Sequence, residues 1–453
     1  MSDTIAAVAT GWAVSAIGIV RLSGGRAVPL AETLFRPRSG RALSVYPDRT
    51  LVYGDLVDAD GQVLDVCLCT LSRAPNSYTG EDTAEFQCHG SPAVLRAALD
   101  ALFALGARQA GPGEFTRRAF LNGRMDLTQA EAVADIIEAD TAECAKNAAG
   151  QLGGALSGKI GAVYDDLADV SAHYHAVLDY PDEDIEDFRL TAYRDLFAHS
   201  IAALERLLAT FSRGKVLRSG VPAAIVGLPN AGKSSLMNAL LGYDRAIVTD
   251  IPGTTRDTIE EKVRIGGVTL RLTDTAGIRD TGDAIERLGV ERSREALKNA
   301  QLAIAVVDGG AAAREGDAAI IAQAARAPKC VVAVTKRDLG EAVHVTAPAG
   351  VPVVSVSAVT GEGLDELAAA VAALFPLPDV PAGEILTNAR QADAVARALD
   401  SLRAGLDAMA AGCTPDIVLT ETEEAMAALG ALTGRSVGED VTDRIFSRFC
   451  VGK

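Results

Sequence analysis

Gly227-Leu-Pro-Asn-Ala-Gly-Lys-Ser234 fits the phosphate-loop pattern G-x-x-x-x-G-K-S/T. The apolar run Val221–Val226 precedes it, and a helical pattern starts near Ser235, so the sequence predicts a strand, a loop and a helix in that order. Its two glycines let the backbone curl until successive N–H groups point at phosphate oxygens. Lys233 would then supply a mobile positive charge, and Ser234 a hydroxyl for Mg²⁺.

A carboxylate motif follows at the spacing that a nucleotide-binding domain needs. Asp274-Thr-Ala-Gly277 comes after the strand-like run Val268–Thr273. This position places the Asp274 carboxylate at the carboxyl end of a strand, near the expected Mg²⁺. The backbone N–H of Gly277 would lie near the γ-phosphate.

Two later motifs predict which base is bound. Thr335-Lys-Arg-Asp338 follows the run Cys330–Val334 and resembles the guanine-reading pattern N-K-x-D. In that role Asp338 would accept hydrogen bonds from the guanine edge, and Lys336 would cover the base. Thr335 stands where asparagine is usual, and a hydroxyl lacks the paired donor and acceptor of an amide.

Ser357-Ala358 completes the set after the run Val351–Val356. Four ordered motifs, each at the end of a strand, predict binding of a guanine nucleotide. The alternative is a degenerate P-loop fold that binds no nucleotide.

Composition sets wider limits. A length of 453 residues predicts two to four domains. The formal net charge of −17 argues against a protein that coats nucleic acid, because non-specific phosphate binding needs many cations. A local basic patch stays open at Arg108, Arg117, Arg118 and Arg124, although a solvated surface is the favoured explanation.

The seven cysteines are scattered without metal-ligand spacing, which favours a reducing, cytoplasmic location. Cys67 and Cys69 lie in an alternating run, where we expect them to share one face of a strand rather than bind a metal. The uncharged stretch Ile5–Val20 is short and follows Asp3 instead of basic residues. We therefore expect neither a membrane span nor a signal peptide.

Changes in residue pattern divide the chain into four segments. Short apolar runs with turn residues predict an α+β domain over 1–120, and three- and four-residue apolar spacing predicts helices over 121–214. Alternating strands and helices over 215–377 predict a doubly wound sheet. The prolines of Pro376–Pro381 end it, and helical patterns return over 378–453. The predicted fold is multidomain: an α+β N-terminal domain, an all-α helical domain, and an α/β P-loop G domain inserted into the helical domain.

Hydrolysis needs a positioned water and a cation near the γ-phosphate. Ile278 occupies the position where many GTPases carry glutamine, so we consider Glu286 as the water-positioning group. The other explanation of Glu286 is the first turn of a helix, where the dipole favours an acid. Asn230 and backbone carbonyls of Thr249–Asp257 could hold a monovalent cation.

The chain resembles the MnmE (TrmE) family of bacterial tRNA modification GTPases, among the TrmE-Era-EngA-like GTPases, over essentially its full length. The G-domain motifs above and Gly253-Thr-Thr-Arg-Asp257 are shared with related GTPases, whereas other motifs are specific to the family. These are Ser77-Tyr-Thr-Gly-Glu-Asp82, Cys88-His-Gly90, Gly113-Glu-Phe-Thr-Arg-Arg-Ala-Phe-Leu-Asn122 and Phe449-Cys-Val-Gly-Lys453.

The resemblance implies a homodimer formed through a folate-binding N-terminal domain. It also implies a flavoprotein partner, MnmG (GidA), in a heterotetramer that installs a carboxymethylaminomethyl- or aminomethyl-type group at carbon 5 of the wobble uridine of certain tRNAs. The carbon would come from a tetrahydrofolate derivative, in its 5-formyl or methylene form. K⁺-dependent dimerisation of G domains would activate GTP hydrolysis.

Matching positions then acquire expected roles. Glu286 would orient the attacking water, and Arg124 stands where the family leads us to expect lysine, which keeps the charge but not its geometry. Cys450 is a candidate for the modification chemistry, its alternative being a buried thiol. The resemblance implies Mg²⁺ at Ser234 and Thr255, K⁺ at Asn230, Thr249, Ile251 and Thr254, and folate at Arg21, Glu81, Arg124 and Lys453. The predicted nucleotide contacts are Asn230, Ala231, Gly232, Lys233, Ser234, Ser235, Thr249, Asp250, Ile251, Pro252, Gly253, Thr254, Thr255, Asp274, Thr275, Ala276, Gly277, Thr335, Lys336, Asp338, Ser357 and Ala358.

Two other functions stay open from the sequence. One is a ribosome-assembly GTPase that binds RNA, which would be expected to carry a basic RNA-binding domain that this chain lacks. The other is a folate-binding protein whose G domain only regulates occupancy. In that protein Arg21 and Glu81 would matter, and the switch residues would not affect any RNA product.

Overall fold

The chain forms two compact units in a computed structural model. The first unit comprises Met1–Ala134, Gln151–Ser200 and Arg397–Lys453, and the second comprises Asp135–Gly150 and Ile201–Ala396. The structure describes residues 3–180, 189–243, 261–272, 297–312, 314–340, 344–376, 380–436, 442, 445–447 and 449–452.

The first unit contains a seven-stranded sheet in the order β3-β4-β5-β6-β2-β1-β7. Neighbouring strands are antiparallel except for the parallel pair β1 and β7. The strands are β1 (Ile5–Val8), β2 (Ser15–Ser23), β3 (Phe35–Pro37), β4 (Val52–Val57), β5 (Val63–Ser72), β6 (Thr83–Gly90) and β7 (Arg108–Gln109).

Alternation along β5 explains how this sheet makes a core. Cys67, Cys69 and Leu71 are buried, whereas the residues between them are half-buried, because side chains two positions apart share one face of a strand. The predicted shared face of Cys67 and Cys69 is therefore confirmed. On the neighbouring strand Phe86 is also buried and stacks on Phe35, with ring centroids 6.2 Å apart.

The second unit contains a six-stranded sheet in the order β13-β12-β11-β8-β10-β9. All described pairs are parallel except β9 with β10. Every residue of the apolar strand β11 is buried, which is typical of a strand covered on both faces. The strands are β8 (Val221–Gly227), β9 (Glu261–Ile265), β10 (Val268–Leu272), β11 (Leu302–Asp308), β12 (Lys329–Thr335) and β13 (Val353–Ser355).

Most of the described residues in the predicted helical segments 121–214 and 378–453 are helical, with turns and irregular stretches such as 122–126, 138–141 and 380–388 between the helices. The short 3₁₀ helices are Leu43–Val45 and Arg337–Leu339. The α-helices are α1 (Ala27–Leu34), α2 (Pro92–Ala104), α3 (Glu114–Leu121), α4 (Leu127–Ile137), α5 (Ala142–Leu152), α6 (Ala155–Asp179), α7 (Leu190–Ala209), α8 (Phe211–Ser219), α9 (Lys233–Tyr243), α10 (Asp317–Ala324), α11 (Leu364–Leu374), α12 (Ala389–Ala410) and α13 (Pro415–Thr433).

Residues from the chain segments before and after the six-stranded sheet meet within each unit. In the first unit α6 packs against α13. In the second unit the Asn147 side chain accepts from the Gly383 N–H at 2.9 Å and donates to the Ile385 carbonyl at 3.2 Å. The Thr210 hydroxyl accepts from the Leu386 N–H at 3.0 Å. The inference that the two helical parts of the chain pack together is thus supported by contacts in both units.

Among the described helices, none combines the length and the apolar character that crossing a membrane requires.

Candidate functional site

The phosphate loop joins the end of β8 at Gly227 to the start of α9 at Lys233. Asn230 and Gly232 both have left-handed backbone conformations, with φ of 61° and 91°. These two residues turn the chain sharply, so that the loop leads directly into the first turn of α9. The free N–H groups and the dipole of a helix N-terminus favour an anion such as phosphate.

Lys233 holds its ammonium group against the loop itself. Its Nζ donates hydrogen bonds to the carbonyls of Gly227 and Leu228, each at 2.9 Å. Burial lowers the pKa of Lys233, and the nearby positive charge of Arg314 lowers it further. A phosphate beside this group would oppose both effects, because an opposite charge favours the protonated form.

Thr335 lies underneath the phosphate loop. Its side-chain oxygen is 2.7 Å from the carbonyl of Ala231 and 3.1 Å from that of Val307, and it is almost completely buried. A Cβ added at Gly232 would lie 3.1 Å from this hydroxyl. Although threonine replaces the usual asparagine, its hydroxyl ties the loop to the ends of two central strands.

Lys336 contacts the phosphate loop through its ammonium group. Its Nζ donates to the Asn230 carbonyl at 3.2 Å and to the Asp308 carboxylate at 2.7 Å. Asp308 ends the buried strand β11 and also accepts from Arg314 at 2.8 Å. The hydrogen bond from Lys336 is the main cause that lowers the pKa of Asp308.

Arg314 binds the loop at a second point, since its Nη1 donates to the Pro229 carbonyl at 2.8 Å. Sequence reasoning missed both Arg314 and Asp308. Asp308 had a signal, because it is a carboxylate directly after an apolar strand, as Asp274 is after its own run. Arg314 had none, since its loop carries no pattern that specifies where the side chain goes.

The two base-reading motifs meet at the next strand end. The Ser357 hydroxyl donates to the Asp338 carboxylate at 2.6 Å, and the N–H of Arg337 donates to the Val356 carbonyl at 3.2 Å. The N–H groups of Val359 and Thr360 donate to the Ser357 hydroxyl at 3.3 and 3.2 Å. Asp338 is thereby held beside the turn that carries Ser357 and Ala358.

The structure therefore brings together the predicted residues Asn230 to Ser235, Thr335, Lys336, Asp338, Ser357 and Ala358 around one edge of the sheet. The remaining predicted nucleotide and metal ligands, together with Glu286 and Lys453, lie outside the described residues. These are Thr249, Asp250, Ile251, Pro252, Gly253, Thr254, Thr255, Asp274, Thr275, Ala276, Gly277, Glu286 and Lys453.

A second group of predicted residues lies in the first unit. Glu81 accepts from the Ser23 hydroxyl at 2.7 Å and from Arg118 at 3.0 Å. Arg21 donates to Glu85 at 2.6 Å, and its guanidinium lies 5.7 Å from the centre of the Tyr78 ring. The Glu81 carboxylate and the Arg21 cation are thus both fixed by neighbours.

Arg124 is exposed and its chain segment lies against the loop that carries Glu81. A Cβ added at Gly80 would lie 3.3 Å from the Arg124 Cγ, and the Asn122 amide donates to the Thr79 carbonyl at 2.7 Å. Arg21 and Arg124 therefore both lie beside the Ser77–Asp82 motif that carries Glu81, although they are far apart in sequence.

Arg118 is buried and belongs to an ion network instead of a basic patch. Besides Glu81, it donates to Asp3 Oδ1 at 2.7 Å and to Glu114 at 3.0 Å. Arg108 also donates to Asp3 and to Glu114, each at 2.6 Å. Its hydrogen bond to Asp3 is the main cause that lowers the pKa of the Asp3 carboxyl. Both the basic patch and the solvated surface considered from sequence are wrong for Arg118, because neither spacing nor composition reveals which acids fold against it.

The C-terminal tail lies on the N-terminal part of the chain. The Gly113 N–H donates to the Cys450 carbonyl at 3.2 Å, and Val451 forms a bridge with Pro112. Gly452 approaches Val8 so closely that an added Cβ would lie 2.2 Å from its carbonyl oxygen. The side chain of Cys450 is exposed, so the alternative of a buried thiol is wrong.

A doubly wound sheet with a phosphate loop and a guanine-type motif at the same edge defines a P-loop GTP-binding protein. A protein-family model described as the MnmE helical domain matches residues 127–450, and one described as the GTP-binding protein TrmE N-terminus matches residues 4–124. The chain belongs to the MnmE family of tRNA modification GTPases.

Curated relatives agree along the entire chain. A tRNA modification GTPase MnmE from Symbiobacterium thermophilum is 45% identical, over 100% of this chain and 99% of the relative. One from a Roseiflexus species is also 45% identical, with the same coverage. One from Heliobacterium modesticaldum is 44% identical over 100% of both chains.

Proposed function

We propose that this GTPase acts with an MnmG-type flavoprotein to place a carboxymethylaminomethyl- or aminomethyl-type group at carbon 5 of the wobble uridine of certain tRNAs. The one-carbon unit would come from a 5-formyl or methylene tetrahydrofolate, and the work would take place in the cytoplasm. The main observation in support is that motifs far apart in sequence contact one another at each site. The nucleotide motifs meet in the second unit, and Asn122 contacts the Ser77–Asp82 motif in the first. The relatives match the chain from end to end.

In this proposal Lys233 moves its hydrogen bonds from the Gly227 and Leu228 carbonyls to the β- and γ-phosphates of GTP. Its ammonium already lies at the loop, so little rearrangement is needed. Asp338, oriented by Ser357, accepts from the guanine edge, and Thr335 supports the loop from below. Lys233 and Thr335 thereby position the phosphates, and Asp338 and Ser357 position the base.

The described loop fits the metals that hydrolysis requires. Ser234 lies in the first turn of α9, where its hydroxyl is a hard oxygen ligand suited to Mg²⁺, and we assign Thr255 as its companion. Asn230 is exposed, and its side-chain oxygen would join Thr249, Ile251 and Thr254 around K⁺. The cation would neutralise charge on the phosphates as two G domains dimerise, while Glu286 orients the attacking water.

The first unit fits a folate. The Glu81 carboxylate, fixed by Ser23 and Arg118, suits the N–H groups of a pterin ring. Arg21 and Arg124 supply cations for the acidic tail, and we assign Lys453 to the same pocket. We further propose that the unit forms the homodimer, that the G domain over 215–377 is inserted into a helical domain formed by 121–214 and 378–453, and that residues 1–120 form the folate-binding domain. The exposed Cys450 stays a candidate for the modification chemistry.

The test is mass spectrometry of tRNA nucleosides from a strain that lacks the protein, rescued with the wild type or with Glu286→Ala. Loss of the 5-substituted wobble uridine in the deletion, with rescue by the wild type alone, would support both the modification role and its dependence on GTP turnover. Rescue by Glu286→Ala as well would show that the folate-dependent modification does not depend on GTP hydrolysis.

Intact uridines in the deletion strain would contradict the proposal and favour a ribosome-assembly GTPase that binds RNA. Equal rates of GTP hydrolysis in Na⁺ and in K⁺ by the purified protein would contradict the proposed K⁺ site at Asn230.

A further inference from the structure

Three side chains with metal-binding atoms converge on the inner side of the seven-stranded sheet. Asp65 and Cys67 lie two positions apart on β5, and Cys88 lies on the neighbouring strand β6. Leu68 pairs with Gln87, so the register places Cys67 next to Cys88 across the two strands. One carboxylate oxygen and the two sulfurs all lie within 4.8 Å of one another.

The Asp65 carboxylate is already oriented by its other neighbours. The backbone N–H of His89 donates to Asp65 Oδ2 at 2.8 Å, and the His89 ring nitrogen Nδ1 lies 2.8 Å from Asp65 Oδ1. Carboxylates that bind metals are characteristically held by hydrogen bonds of this kind. The His89 side chain is 75% exposed and the Asp65 side chain 10%, so an ion could enter from the His89 side.

An apolar wall surrounds the two thiols. On the flanking strands β4 and β2, the residues paired with Cys67 and Cys88 are both glycines, Gly54 and Gly18. A Cβ at Gly18 would lie 2.7 Å from the Leu95 side chain, and a Cβ at Gly54 would lie 2.6 Å from the Phe35 ring. Leu95 and Phe35 belong to the same buried core as Cys67 and Cys88, so apolar side chains border the two thiols.

We infer that Asp65, Cys67 and Cys88 form a zinc site that joins β5 to β6. Two thiolates with one carboxylate suit zinc, whereas magnesium and calcium prefer oxygen ligands throughout. Zinc–sulfur bonds of about 2.3 Å place tetrahedral ligand atoms roughly 3.8 Å apart, so the group needs to close by about 1 Å. Both thiols release their protons to solvent on coordination, and water completes the fourth position.

Simple packing is the competing explanation, because buried cysteines often serve as small apolar side chains. It accounts for Cys69, which is buried and is paired with the buried Phe86 across β5 and β6. It does not account for a carboxylate oxygen within 4.8 Å of both sulfurs, on a side chain whose position is fixed by His89.

Cobalt titration of the full-length protein tests the inference, after treatment with a reductant and a chelator. We expect one equivalent of Co²⁺ to produce a thiolate-to-cobalt absorption band in the near ultraviolet and the strong visible bands of tetrahedral cobalt. Cobalt at the phosphate loop would have oxygen ligands and would lack the thiolate band, so the two sites give separate signals. Failure here would leave the proposed GTPase function unaffected.

Single variants locate the ligands. Cys67→Ser and Cys88→Ser should each weaken or abolish the thiolate band, and Asp65→Asn should weaken cobalt binding at least about tenfold. Cys144→Ser is the matched control, since Cys144 is a buried free thiol in the second unit, and its band should equal that of the wild type.

X-ray absorption on zinc-loaded wild-type protein covers the case in which a cysteine variant fails to fold. Two sulfur neighbours at about 2.3 Å would support the site. Zinc with only nitrogen and oxygen neighbours, or a fully reduced wild type without a thiolate band, would overturn it.

Discussion

The phosphate loop in the second unit and the ion network around Arg118 in the first unit both position charge, but they are built differently. The loop consists of consecutive residues, and its cation Lys233 is held by carbonyls five and six positions away. The network joins Asp3, Glu81 and Glu114 to one buried guanidinium, across as many as 115 positions of sequence.

This difference separates function from stability. The Lys233 ammonium is held by backbone carbonyls, which remain partly solvated when the side chain is removed. Removing Lys233 should therefore weaken nucleotide binding more than folding. Arg118 neutralises Glu81 and Glu114, whose side chains are each only 16% exposed. Removing Arg118 should therefore destabilise the fold itself. The following predictions test whether that separation holds.

The largest effect is expected for Arg118→Met. Removing one partner of a buried ion pair leaves uncompensated charge, and the free energy of unfolding should fall by about 3–5 kcal/mol. Denaturant unfolding measures this value. Arg124→Met is the control, because Arg124 is exposed, and its cost should stay within about 0.5 kcal/mol. Equal costs for the two variants would show that the network does not stabilise the unit.

Lys233→Ala should reduce GTP affinity by about a hundredfold, since roughly 3 kcal/mol of charge-assisted hydrogen bonding to phosphate is lost. Isothermal titration with a non-hydrolysable GTP analogue measures the affinity. The exposed Lys215 serves as the control, and Lys215→Ala should bind like the wild type. An unchanged GTP affinity in Lys233→Ala would contradict the assignment of the phosphate loop.

A smaller effect on both properties is expected for Thr335→Val. The change keeps the shape but removes the hydroxyl that lies against the Ala231 and Val307 carbonyls. Buried carbonyls without a donor should cost about 1–2 kcal/mol of unfolding free energy, and the loosened loop should bind GTP several-fold more weakly. Thr420→Val, at an exposed helical threonine, should cost no more than about 0.5 kcal/mol. A stable Thr335→Val with full affinity would refute the support role.

The smallest effect is a pH dependence at Asp308, whose pKa is lowered in the folded state, chiefly by the hydrogen bond from Lys336. A depressed pKa contributes stability that is present above the unfolded value of about 3.9 and is lost as the pH falls through the folded pKa. The difference in unfolding free energy between wild type and Asp308→Asn should therefore shrink on acidification below about pH 4. A difference that stays constant down to about pH 2 would contradict the ion pair.

The sequence by itself determined the parts of this protein that short stretches of chain specify. The phosphate loop, the strand before it and the helix after it follow from glycines, an apolar run and a lysine within Val221–Ser234. The shared strand face of Cys67 and Cys69 follows from their spacing of two. Such features are local, because backbone geometry and side-chain period fix them without reference to distant residues.

Only the tertiary structure decided which distant groups meet. Arg314 binds the phosphate loop, Arg118 is buried beside Glu81, and an Asp65 oxygen lies within 4.8 Å of the Cys67 and Cys88 sulfurs. Nothing in the neighbourhood of these residues along the chain specifies their partners. The pairing of strands and the packing of helices bring the partners within hydrogen-bonding distance, and the low polarity of the resulting interior makes each meeting energetically significant.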